Sequence, residues 1–176
     1  MITAVALPLS LQEQLHDAAL RAYPRECCGL LEGMLTLIAA KTGKGESGKS
    51  EIAQIVALHP MPNLAREPDR FEIDPAAHIA LLRNLRGTGR DIVGCYHSHP
   101  NGRAEPSARD RESAVEADFL WLICAVSPDT RESRIAGFAF AAQGFASVPI
   151  ANAPLGPRAS SPAQTDKPGR GAGRLA

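Results

Sequence analysis

One stretch constrains the fold more than any other: Gly94-Cys-Tyr-His97-Ser98-His99-Pro100-Asn-Gly-Arg-Ala-Glu-Pro-Ser107-Ala-Arg-Asp110. Asp91–His97 reads as a strand, and histidines at i and i+2 on a strand point to the same side. Pro100 stops the strand and Asn101-Gly102 turns the chain. Ser107 can then open a helix whose first turn holds Asp110. The order strand, turn, helix brings two imidazoles and a carboxylate together. Two nitrogens and one oxygen leave a fourth tetrahedral position for water, as in catalytic rather than structural zinc sites. Each piece is ordinary alone, since nearby histidines occur by chance and Ser107-x-x-Asp110 is also a simple capping box. Their order along the chain favours His97, His99 and Asp110 as metal ligands.

The other elements follow from periodicity and punctuation. Strands are expected at Ile2–Leu7, Cys27–Ala40, Ile52–Leu58, Arg70–Ile73, Leu120–Val126, Arg134–Ala141 and Ala146–Ile150. Helices are expected at Leu11–Ala22, from Pro75 to about Leu85, and at Ser107–Asp118. Ser10-Leu-Gln-Glu13 reads as a capping box for the first helix, and Asp74-Pro75 as the N-cap and first position of the second. Pro60, Pro62 and Asn63 make 60–67 a loop.

Length and composition set the frame. With 176 residues, 44% of them hydrophobic, the chain holds one domain with a real core. Lys and Arg balance Asp and Glu, and aromatics are scarce, which argues against nucleic-acid binding. No apolar run reaches a membrane span. Ile2–Leu9 lacks the flanks of a secretion signal. Cys27, Cys28, Cys95 and Cys124 form no C-x-x-C pair, so reduced thiols and a cytoplasmic protein are expected. Residues 1–150 read as the domain. Residues 151–176, rich in Pro, Gly and Ala with a net charge of about +3, read as a disordered tail. Gly43 through Ser50 matches the phosphate-loop spacing, but strand-like sequence on both sides makes it a hairpin loop.

A hydrolytic metal site also needs a proton carrier that is not a ligand. Glu26, entering an apolar strand in Pro24-Arg-Glu26-Cys-Cys-Gly29, is the candidate; Glu32 competes but lies beside Gly33 at the expected outer end. His16, His59 and His78 have no partner at ligand spacing and read as surface or packing residues. There is no H-E-x-x-H and no zinc-deaminase pattern.

Glu26, His97-x-His99, then Ser107-x-x-Asp110 resemble the JAMM/MPN+ metalloprotease motif, E-x(n)-H-[ST]-H-P-x(6)-S-x-x-D, with all five polar positions present. The leading Pro-x-Glu-x-Cys-Gly-x-Leu segment is similar to small prokaryotic members. The resemblance implies an α/β fold, a mixed, curved β-sheet flanked by helices (the MPN, cytidine-deaminase-like fold). It implies Zn²⁺ on His97, His99 and Asp110, Glu26 as general base and then acid, and Ser107 beside the oxyanion. Ser98 points the other way and is expected to support the turn. The implied reaction is hydrolysis after the C-terminal glycine of a ubiquitin-like protein. Leu120 follows the third helix directly, without the long insertion of polyubiquitin-cleaving members, so sulfur-carrier proteins are the expected substrates. Processing or release of an attached amino acid such as cysteine would both fit. Phe71 and Tyr96 are candidate contacts for the substrate tail, with core packing the simpler role. The alternative is a non-catalytic interaction scaffold of the same fold; such relatives lose metal ligands, and this chain keeps them. Oligomeric state is not legible.

Overall fold

The computed structural model describes residues 1–41, 47–141 and 143–152. In chain order the elements are β1 (Ile2–Ala6), α1 (Leu9–Ala22), β2 (Cys28–Lys41), β3 (Ser47–Met61), α2 (Pro75–Leu85) and β4 (Asp91–His99). Then come α3 (Ala108–Ser113), β5 (Phe119–Val126), β6 (Ser133–Ala141), β7 (Gly144–Val148) and β8 (Ile150–Ala151). They form one sheet ordered β7-β6-β5-β4-β2-β3-β1-β8. The β1–β3, β1–β8 and β4–β5 pairs are parallel and the others antiparallel. β7 and β8 occupy opposite edges, yet only Pro149 separates them in sequence. The sheet must therefore curl until its edges approach, and Val5 N–H donates to the Pro149 carbonyl at 2.9 Å. This is the mixed, curved sheet with flanking helices that the JAMM/MPN+ resemblance implies.

Side-chain alternation sorts residues to the two faces. α1 lays Leu11, Leu15 and Ala19 on one face, against Val5, Leu31, Tyr96, Leu120 and Leu122. Fully burying such a side chain contributes roughly 1.5–3 kcal/mol. α2 brings Leu81 and Leu85 to the other face, against Leu30, Cys95 and Trp121. Along β4, Tyr96 therefore faces α1, while Cys95 and the two histidines face the α2 side. Asp74 caps α2 as expected, accepting from Ala76 N–H at 2.8 Å with Pro75 following.

Several boundaries differ from expectation. The Ser10–Glu13 capping box does not form: the Pro8 carbonyl already accepts from Leu11 and Gln12 N–H, so the helix starts earlier and Ser10 lies inside it. β3 runs through Pro60, which pairs with Gly29. Beyond Gln54 it no longer pairs with β1, and a proline is tolerated along such a free edge. Arg70–Ile73 is no strand; it contributes only the bridge of Ile73 to Asn63. α3 ends at Ser113, because residues 114–118 offer no apolar stripe to bury and Val115 is exposed. Pro149 splits the last expected strand into β7 and β8. Ser47–Ser50 belong to β3, antiparallel to Ile38–Lys41, so the phosphate-loop spacing runs into a strand rather than a helix. Residues 43–46 of that stretch lie outside the described residues, as does the expected tail from 153 onward; Ala151, at the start of that expected tail, pairs with Ala6 in β8. Among the described residues, no helix is long and apolar enough to cross a membrane.

Candidate metal centre

β4 ends in His97 and His99, and the local sequence then returns the chain to them. Gly102 adopts φ 75°, a left-handed conformation that glycine takes without strain. The Asn101 side chain accepts from Arg103 N–H at 2.9 Å, and this turn sets the Arg103 carbonyl 2.8 Å from His99 Nδ1. A carbonyl only accepts, so Nδ1 carries a proton, and Nε2 is the ring atom that could offer a lone pair to a metal once unprotonated. That Nε2 lies 3.0 Å from His97 Nε2 and 3.3 Å from Asp110 Oδ2, while His97 Nε2 lies 3.4 Å from Asp110 Oδ1.

Ser107 and Asp110 form the capping box and also complete this cluster. Ser107 Oγ accepts from Asp110 N–H at 3.1 Å, and Asp110 Oδ2 accepts from Ser107 N–H at 2.6 Å. The cap therefore aims the carboxylate at the imidazoles. Three electron-rich atoms converge in a buried place, a geometry that calls for a cation. Ligands at about 2.0–2.1 Å from a tetrahedral zinc stand roughly 3.3 Å apart, close to the separations found here. His97, His99 and Asp110 could thus hold a metal ion of that size.

The proton affinities of the three groups follow from their surroundings. Burial would raise the Asp110 carboxyl, but hydrogen bonds from His97, His99 and Ser107 outweigh it and hold the group far below its usual range. Burial lowers His97. For His99 burial also pulls downward, and the Asp110 carboxylate and Arg103 carbonyl override it, so the net shift is upward. Both imidazoles must be neutral at Nε2 to ligate, so metal binding displaces protons.

A groove of about 470 Å³ reaches the cluster at Asp110 and is lined by Glu26, Phe71, Ser107 and Trp121 among others. Glu26 reaches it from the turn before β2. Burial raises its carboxyl to about 8, partly offset by His99. Phe71 stacks on His97 with centroids 4.4 Å apart, and Trp121 meets the same imidazole edge-on. Tyr96, by contrast, is buried in the core facing α1. Ser98 also points away from the metal side. Its Oγ accepts from Cys27 N–H at 2.8 Å, which ties β4 to the segment bearing Glu26.

Glu32 is not at an exposed end. It is buried, with Arg90 Nη1 and His59 Nε2 each 2.8 Å from its carboxylate. Periodicity could not reveal those partners, which come from other strands and loops. His78 lines the groove, and His16 binds Ser133 Oγ at 2.7 Å. The cysteines are unpaired; Cys28, Cys95 and Cys124 are buried and Cys27 half-buried. In the sequence Asn63 reads only as a loop breaker, although its side chain binds the Glu26 carbonyl. A polar residue beside Pro62 is the only signal of that role.

Known proteins resemble this chain in sequence and fold. A desampylase of Haloferax volcanii is 35% identical over 123 residues, covering 69% of this chain and 76% of that protein. A "probable TtuB-protein conjugate cleaving protease" of Thermus thermophilus is 30% identical over 109 residues, covering 61% and 62%. Among solved structures, a protein of Desulfitobacterium hafniense superposes with a TM-score of 0.67 at 25% identity, covering 84% of this chain and 91% of that one. One from Salinibacter ruber gives 0.56 at 27% identity, covering 91% and 95%. Residues 8–136 match the family described as prokaryotic homologs of the JAB domain, and the chain belongs to that family.

Proposed function

We propose that the chain is a zinc-dependent peptidase or isopeptidase that hydrolyses the bond after the C-terminal glycine of a ubiquitin-like or sulfur-carrier protein. The observation that carries this reading is the convergence of His97, His99 and Asp110 beneath a groove that also contains Glu26 and Ser107. The names of the Haloferax and Thermus relatives support conjugate cleavage. Four unpaired cysteines fit a reducing, cytoplasmic setting.

Zinc in this site would supply Lewis acidity, acidifying water to a pKa of about 7 and polarising a carbonyl. The chain's own residues supply the rest. Glu26 is a buried carboxyl with a raised proton affinity, suited to taking a proton from water and returning it to the leaving amine. Ser107 Oγ accepts its cap bond from Asp110 N–H and keeps its own proton for an oxygen that gains negative charge. Phe71 and Trp121 wall the groove with apolar surface. A tail ending in Gly-Gly carries no side chain to clash beside the metal.

The test is incubation with a ubiquitin-like carrier bearing a C-terminal extension, read by intact mass. Cleavage directly after the terminal glycine is expected, with a large loss of rate when that glycine becomes valine. Equal cleavage of the two substrates would remove the ubiquitin-like assignment and leave a zinc hydrolase of other specificity. A further substrate with cysteine on the terminal glycine distinguishes amino-acid release from processing.

A further inference from the structure

Glu26 lies before β2, in irregular backbone, so no sheet ladder fixes it. The loop between β3 and α2 does fix it, and the centre of that loop is Asn63. Asn63 Nδ2 donates to the Glu26 carbonyl at 3.0 Å and to the Arg70 carbonyl at 2.8 Å. Its Oδ1 accepts from Ala65 N–H at 2.9 Å and Glu72 N–H at 3.1 Å. Both amide donors and both acceptor directions of one side chain are in use. The same loop takes the other backbone group of Glu26, whose N–H donates to the Pro68 carbonyl at 3.1 Å. Arg25 closes the seam, reaching the Arg66 carbonyl at 3.0 Å and the Ala65 carbonyl at 2.6 Å.

This loop also forms one wall of the metal groove, through Asp69, Phe71 and Ile73. Arg109 of α3, next to Asp110, binds Asp69 Oδ1 at 3.1 Å and joins the loop to the ligand-bearing helix. We infer that Asn63 is a positioning residue, which holds the Glu26 backbone so that its carboxyl faces the metal groove. The inference rests on the proposed role of Glu26 as proton carrier. Aspartate at this position would keep the two acceptor bonds and lose both donor bonds, to the Glu26 and Arg70 carbonyls.

The test compares Asn63→Ala and Asn63→Asp with the parent chain, each alone and combined with Glu26→Gln. The readouts are metal content, amide hydrogen exchange, and kcat and KM on a carrier with a C-terminal extension. Misplacement by about 1 Å costs on the order of 100-fold, so kcat should fall by about that factor with KM little changed. Metal content should stay at the parent value. Exchange at the Glu26 amide should accelerate while His97–His99 stay protected. In the Glu26→Gln background neither Asn63 variant should lower the residual rate further, because the group it positions is gone. An unchanged Glu26 amide would overturn the inference, as would a full additional loss in the Glu26→Gln background. Should Glu26→Gln itself leave turnover intact, the proton-carrier role fails and the inference fails with it. A parent chain inactive on this substrate would instead count against the proposed substrate, and exchange at Glu26 would then decide whether Asn63 holds it.

Discussion

Glu26 and Glu32 lie six residues apart, the first just before β2 and the second near the end of its pairing with β4, and both are only 6% exposed. Their proton affinities move in opposite directions. Glu32 accepts from Arg90 and His59, and those bonds pull its carboxyl below the usual value. Glu26 makes no side-chain hydrogen bond or ion pair among the described residues, and burial lifts it to about 8. Burial alone therefore does not determine what a carboxylate does. The paired group joins two strands and a loop; the unpaired one retains affinity for a proton beside a place built for a cation.

The strongest way to break this contrast is to remove the cation site. His97→Ala or Asp110→Ala should abolish metal binding and turnover together, measured by metal analysis and carrier cleavage, while the Glu32 end is undisturbed. Retained metal in either variant would remove that residue from the ligand set.

Next comes a swap of the two carboxyls themselves. Glu26→Gln should reduce turnover by about 10²–10⁴-fold with metal retained, whereas Glu32→Gln should leave kcat near the parent value. In metal-free protein the stability effects should invert. Between its usual 4.5 and about 8, folded Glu26 binds a proton that the unfolded chain lacks, so its contribution falls as pH rises. Glu26→Gln should therefore raise the melting temperature near pH 8. A drop there would mean that Glu26 is held by a favourable partner after all.

Ser107→Ala should have a smaller effect, because it removes a hydroxyl and not the ligand. Loss of one oxyanion donor costs about 10²–10³-fold in kcat, and loss of the N-cap about 1 kcal/mol. Weaker metal binding with unchanged kcat at saturating metal would reassign Ser107 to aiming Asp110 alone.

The surroundings of Glu26 and Glu32 also differ in how far the sequence reveals them. His97, His99, Ser107 and Asp110 were legible because a strand, a turn and a capped helix are local, and one short stretch contains all of them. α1, α2 and most of the strands were legible for the same reason, from apolar spacing and Gly/Pro punctuation. Glu32 was misplaced because its partners, His59 and Arg90, are 27 and 58 residues away. Asn63 was missed because its bond to Glu26 spans 37 residues and depends on how the loop closes. The meeting of β7 and β8 at opposite edges follows from closure of the whole sheet, which no local pattern encodes.

The smallest expected effect is the pH dependence at Glu32. Its folded-state value lies below 4.5, so its contribution to stability is fully present above that pH and is lost as pH falls through the folded value. Arg90 is half exposed and His59 partly so, and solvent weakens both pairs, which limits the contribution to about 1 kcal/mol. Denaturant titrations of parent and Glu32→Gln should differ by that amount at pH 7 and converge as pH falls through the folded-state value. A difference that persists after the Glu32 carboxyl has taken up its proton would mean that Glu32 stabilises the strand by shape and neutral hydrogen bonding. The contrast with Glu26 would then be one of packing rather than of charge.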